Sequence, residues 1–180
     1  MIRIVIAEDQ EFLLGIIGSL LSLEEDMEVV GQSSDGAEVL ALVKEHQPDI
    51  CIMDMDSHSE NDTAEKLHAS GCKLMILTTF AKPGYFERIV QMDVRGYLPK
   101  DSSSEEFVSS IRKIMEGGRA YSQALMESDD SGKGEGEGRG GSSSDEKIVP
   151  VSSDQQNNKT LETVRGYLTT FKDKMKLPAG

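Results

Sequence analysis

Long hydrophobic runs are missing from this sequence: none approaches the roughly 18 apolar residues of a membrane-spanning helix, so no membrane insertion is expected. The opening "MIRIVIAEDQ" passes from Met1 straight into a short apolar segment, without the charged, apolar and small-residue layout of a signal peptide. Cysteine is scarce. The two present, Cys51 and Cys72, lie in apolar contexts with neither metal-ligand spacing nor a disulfide framework. They read as small buried thiols in a reducing compartment, which predicts a cytoplasmic protein. Basic residues are also few, 19 Lys and Arg against 32 Asp and Glu, a formal charge of −13. That balance argues against holding nucleic acid by general electrostatics and suits a chain that gathers carboxylates around a cation. The imbalance is uneven: residues 159–180 hold five basic and two acidic residues, a local +3 that leaves −16 elsewhere.

What is present is an alternation of short apolar runs with helix-period stretches. "IRIVIA" (2–7), "MEVVG" (27–31), "DICIMD" (49–54), "KLMILTT" (73–79) and "VRGYL" (94–98) read as strands, mostly without polar alternation. Such strands belong to a parallel sheet covered on both faces. Between the first two, Leu13, Ile16, Ile17, Leu20 and Leu21 form one helical stripe. Asp35 with Glu38 starts a second helix that ends before Pro48, and a third falls within 61–70. Ser103 with Glu106 caps the last of the series, which turns Phe107, Val108, Ile111, Ile114 and Met115 to one side and stops at Gly117-Gly118. The pattern predicts an α/β fold: a doubly wound, five-stranded parallel sheet with flavodoxin-like strand order 2-1-3-4-5.

After Met126 the composition changes. Six glycines lie between Ser131 and Gly141, with almost nothing to bury, so a solvated linker is expected over 128–158. Helical spacing returns in "TLETVRGYLTTFKDKMKL", at Leu161, Val164, Leu168, Phe171 and Met175. One helix of that length is not a domain. The expected division is therefore a domain over 1–127, a linker over 128–158 and an amphipathic helix over 159–180.

In such a sheet the working residues lie beyond the carboxyl ends of the strands. Glu8 and Asp9 follow the first strand, Asp54 ends the third, Thr78 ends the fourth and Lys100 follows the fifth. Each has an ordinary reading alone: helix-dipole complement, surface acid, strand residue or turn lysine. Together they put three carboxylates on one rim. Two like charges ~4 Å apart cost on the order of 4 kcal/mol at an effective dielectric near 20. A hard divalent cation such as Mg²⁺ would reconcile them, and a lysine and a hydroxyl nearby are what a phosphoryl group would use.

"IAEDQ", "CIMD", "LTTF" and "GYLPKD", in this order and spacing, resemble the response-regulator receiver domain over residues 1 to about 127. Within that family, "LTTFAKPGYFERI" and "DMEVVG" are most similar to regulators of membrane-lipid desaturation, whose partner is a membrane thermosensor kinase. The resemblance implies that Asp54 accepts a phosphoryl group from a sensor histidine kinase. It implies Mg²⁺ held by Glu8, Asp9, Asp54 and the backbone carbonyl of Asp56, with Asp9 the more direct ligand of the acidic pair. It also implies Thr78 as switch hydroxyl, Lys100 as phosphate-binding lysine and Tyr97 as the aromatic that rotates inward on activation. Dimerisation with a second copy on phosphorylation is a further implied partner state. The resemblance implies a phosphoacceptor with self-catalysed transfer and autodephosphorylation at most, not an enzyme of separate substrates.

The sequence departs from the family after the acceptor. His58 and Asp62 stand where receivers usually have a proline and a glycine, and Asp56, Glu60 and Asp62 make the loop acidic. A looser loop and slower phosphorylation are expected. Pro99 precedes Lys100 rather than following it, making Leu98–Pro99 a candidate cis bond.

The terminal segment resembles only the recognition helix of LuxR-type helix-turn-helix domains. Thr163 and Arg165 would face bases and phosphates, and Lys159, Lys172 and Lys174 would contact phosphates. The segment before it, "DEKIVPVSSDQQNN", is too short and polar to supply the preceding helices. Docking of an amphipathic helix on the receiver or a partner is the other reading. The favoured function is a two-component response regulator with a DNA-binding transcriptional output. The alternatives are a stand-alone receiver or phosphate sink and, less favoured, a Mg²⁺-dependent phosphatase with Asp54 as nucleophile.

Overall fold

The computed structural model describes residues 1–54, 60–79 and 85–130, of which 60–62 and 127–130 are described by backbone alone. Asp56, His58 and the whole 159–180 segment, with Thr163, Arg165, Lys172 and Lys174, lie outside the described residues. Six strands and six helices alternate: β1 (Ile2–Ala7), α1 (Glu11–Leu21), β2 (Met27–Ser33), α2 (Gly36–His46), β3 (Ile50–Asp54), α3 (Glu60–Ala69), β4 (Lys73–Thr78), α4 (Tyr85–Gln91), β5 (Gly96–Pro99), α5 (Ser104–Met115), β6 (Ala120–Tyr121) and α6 (Gln123–Asp130). The strands form one parallel sheet in the order β2-β1-β3-β4-β5-β6.

The apolar runs make strands because both faces of the sheet are covered. Ile4, Ile6, Ile50, Ile52, Met75, Leu77 and Leu98 point into one core, closed by Leu13, Ile17, Leu20 and Leu21 of α1 and Phe107, Ile111 and Ile114 of α5. The alternate residues Val5, Cys51, Met53, Leu74, Ile76 and Tyr97 point into the other, closed by α2, α3, α4 and Leu125 of α6. Period-two alternation thus sorts residues between two apolar cores rather than between core and water.

The expected five-strand sheet gains a sixth member. After α5 stops at Gly117, which takes a left-handed φ of +91°, the chain turns back and lays Ala120 and Tyr121 beside Gly96 and Tyr97. A strand of two residues leaves no periodic signal. Leu98–Pro99 is trans, contrary to the expected cis bond, since no cis peptide occurs among the described residues. Pro99 closes β5 opposite Thr78, and Lys100 N–H donates to the Thr78 carbonyl at 2.8 Å, which fixes where Lys100 leaves the sheet.

Both caps form, with one change of partner. Ser103 Oγ accepts from Glu106 N–H at 3.1 Å and Asp35 accepts from Ala37 and Glu38 N–H. Glu38 does not close a capping box on Asp35: its Oε2 takes the Ser33 hydroxyl at 2.5 Å, and Ser33 Oγ accepts Asp35 N–H at 3.0 Å. Both cysteines are free thiols. Cys51 is buried and Cys72 half-buried, and burial pushes Cys72 up to about 12 and Cys51 well above its ordinary value. No helix among the described residues is long and apolar enough to cross a membrane.

Candidate functional site

Four adjacent strands deliver the site. β1, β3, β4 and β5 are neighbours in the sheet, so Glu8, Asp54, Thr78 and Lys100 emerge at one carboxyl-end rim. Glu8 is the first residue past β1, and its N–H still donates to the Ser33 carbonyl of β2 at 3.2 Å. The strand geometry therefore reaches one residue beyond the strand and turns the Glu8 side chain inward. Asp9, one position further, is exposed at the mouth of the same cavity.

Lys100 stands between two carboxylates. Its Nζ lies 2.8 Å from Asp54 Oδ2 and 3.0 Å from Glu8 Oε2, and it donates to Glu8 Oε1 at 3.2 Å. All three side chains are at most 3% exposed. Burial pushes the Glu8 carboxyl up to about 8; Lys100 pulls against this and Asp54 adds to it. Burial presses the Lys100 ammonium down, but Glu8 and Asp54 outweigh it and hold its affinity for the proton above the ordinary value. With both acids ionised, the cluster would hold two negative charges against one positive.

Glu8, Asp9 and Asp54 can each place an oxygen within 4.8 Å of the other two. That spacing is close to the ~4.2 Å separating opposite ligands of a Mg²⁺ ion with bonds of about 2.1 Å. The donor set is all hard oxygen, the choice of Mg²⁺ rather than of softer metals. A divalent cation there would hold Glu8 ionised, where burial alone raises its affinity for the proton. These residues fit the ion.

Thr78 is 2% exposed at the end of β4, beside Lys100. Tyr97, on β5 two residues before Pro99, is 1% exposed, with its ring centroid 6.3 Å from that of Tyr85 at the start of α4. The structure therefore brings together Glu8, Asp9, Asp54, Thr78 and Lys100, with Tyr97 turned inward behind them. Not anticipated from the sequence was the far wall of the site. A cavity of about 50 Å³ beside the acids is lined also by Ser33, Ser34, Asp35, Gly36 and Thr63. Its residues come from the β2–α2 corner and the first turn of α3, which no strand-end rule singles out.

The model of the response regulator receiver domain family matches residues 4–112. The transcriptional regulatory protein DesR of Bacillus subtilis (strain 168) is 42% identical over 187 aligned residues, covering 98% of this chain and 92% of DesR. The uncharacterized transcriptional regulatory protein YvfU of the same strain is 50% identical over 129 residues, covering 69% of this chain. The chain spans 64% of YvfU's length, less than two thirds. Among solved structures, a DNA-binding response regulator of the LuxR family from Staphylococcus aureus superposes with a TM-score of 0.59 at 31% identity. That match covers 63% of this chain and 98% of the solved one. The family match, the long alignment with a transcriptional regulator and the shared sheet agree: this chain belongs to the response regulator receiver domain family and is related to two-component transcription regulators.

Proposed function

We propose that Asp54 accepts a phosphoryl group from a sensor histidine kinase, and that the resulting charge switches a transcriptional output. The observation that carries this reading is the placement of Lys100 between Asp54 and Glu8, at 2.8 and 3.0 Å, in a buried rim. An Asp54 carboxylate oxygen attacks phosphorus, and the P–N bond to the kinase imidazole breaks with its electron pair going to nitrogen. The Lys100 ammonium, already aimed at Asp54 Oδ2, meets the negative oxygens of the transferred group. Glu8, Asp9 and Asp54, with the Asp56 carbonyl, would hold Mg²⁺, which when bound supplies positive charge against those oxygens. Thr78 closes on the new acyl phosphate, and the inward Tyr97 and α4 respond as one two-state element.

The output reading rests on kinship. DesR and YvfU are named transcriptional regulators, and the alignment with DesR covers 98% of the chain. DNA is the proposed partner of the +3 segment 159–180, through Thr163, Arg165, Lys172 and Lys174.

Incubation with a small-molecule phosphodonor and MgCl₂, read by intact-protein mass, tests the central step. One phosphoryl group should be gained, and Asp54→Asn should abolish the gain. A gain retained in that variant contradicts the assignment, and steady turnover of added phosphomonoesters would favour the phosphatase reading instead. Mobility shift of promoter DNA with and without residues 159–180 tests the output; equal, weak, salt-sensitive binding by both would contradict it.

A further inference from the structure

The β2–α2 corner is built as part of the acidic site. Ser33 ties the two together: its carbonyl accepts Glu8 N–H at 3.2 Å, while its hydroxyl accepts Asp35 N–H at 3.0 Å and donates to Glu38 Oε2 at 2.5 Å. Asp35 is thereby held at a fixed position relative to Glu8. Its carboxylate is oriented by Oδ1, which accepts from Ala37 N–H at 2.7 Å and Glu38 N–H at 3.3 Å. The same residue lines the cavity of about 50 Å³ that Glu8, Asp9 and Asp54 share. Gly36 keeps that cavity open, since a Cβ there would meet Thr63 Oγ1 at 3.2 Å.

Asp35 is an exposed N-cap, a position where aspartate, asparagine and serine serve about equally well, and of the three only aspartate brings a carboxylate to the cavity wall. Asp35 is not one of the three acids whose oxygens lie within 4.8 Å of one another, although it lines the same cavity. Mg²⁺ retains several waters, and their protons need acceptors. The cavity exceeds the roughly 10–15 Å³ that one water requires.

We infer that Asp35 is an outer-sphere positioning residue of this site, accepting a hydrogen bond across the cavity from water on the bound Mg²⁺. The inference rests on the Mg²⁺ reading above. MgCl₂ titration at constant ionic strength, followed by amide NMR, tests it in Asp35→Ser and Asp35→Asn, with Glu45→Gln on the same helix as charge control. Both Asp35 variants should weaken Mg²⁺ binding about tenfold or more. Both should keep the metal-free melting temperature, because each retains a cap. Glu45→Gln should stay within about twofold of the parent, its charge lying on an exposed part of α2. Unchanged affinity in both Asp35 variants, or equal weakening in Glu45→Gln, overturns the role. A parent protein that binds no Mg²⁺ removes the metal reading itself, a different and recognisable result.

Discussion

Glu8 shows how one side chain responds to its neighbours. Buried beside Asp54, it holds its proton up to about pH 8 despite the Lys100 ammonium. The unfolded chain gives up that proton near 4.5, so between about 4.5 and 8 the folded state binds more protons than the unfolded one. This group's contribution to metal-free stability therefore falls as pH rises through that window. Thermal melts in chelator should show a downward slope from about pH 5 to 8 that Glu8→Gln flattens; identical slopes would contradict the assignment. The sequence made Glu8, Asp54 and Lys100 legible because strand ends locate side chains well. The resemblance made Asp9 the more direct Mg²⁺ ligand of the pair. What no residue pattern announced is that Glu8 is the buried, lysine-bound acid, with its N–H donating to the Ser33 carbonyl as a continuation of strand geometry, while Asp9 is exposed beside it.

At the scale of elements, β1, β3, β4 and β5 were readable because they send apolar residues into both cores, β2 because of the short apolar run it carries on the sheet edge, and α1 and α5 because their stripes match the core they close. The edge beyond β5 was not, because β6 is specified by tertiary bonds rather than by period. Tyr121 OH donates to the Val94 carbonyl at 2.7 Å and accepts from Arg119 at 2.6 Å. Its ring meets Phe86 of α4 edge-on at 5.3 Å, and Arg119 also pairs with Asp93. The strand thus joins the α4–β5 turn to α6, whose Leu125 is buried in the core that contains Tyr97. Tyr121→Phe removes the hydroxyl and leaves the ring, so a loss of about 1 kcal/mol in chemical denaturation is expected. Amide exchange should quicken at 120–126 while β1 and β3 stay protected; loss spread evenly over the sheet would contradict this local role.

The whole molecule carries −13, yet the proposed reaction replaces the single negative charge of the Asp54 carboxylate by an acyl phosphate of about −2, a net gain of about one negative charge at its most acidic rim. That is workable only if cations gather there, Lys100 from the chain and Mg²⁺ from solution. The same charge makes the +3 segment at 159–180 an electrostatic exception. The central claim is that Glu8, Asp9, Asp54 and Lys100 form one phosphoryl-accepting rim coupled to Thr78 and Tyr97. Beryllofluoride with MgCl₂, added to the ¹⁵N-labelled full chain and followed by amide NMR, measures this most directly. Saturable shifts at 8–9, 54, 78, 97 and 100 that require both reagents and vanish in Asp54→Asn are predicted; no shift, or shifts indifferent to Mg²⁺ or to Asp54, would contradict the account.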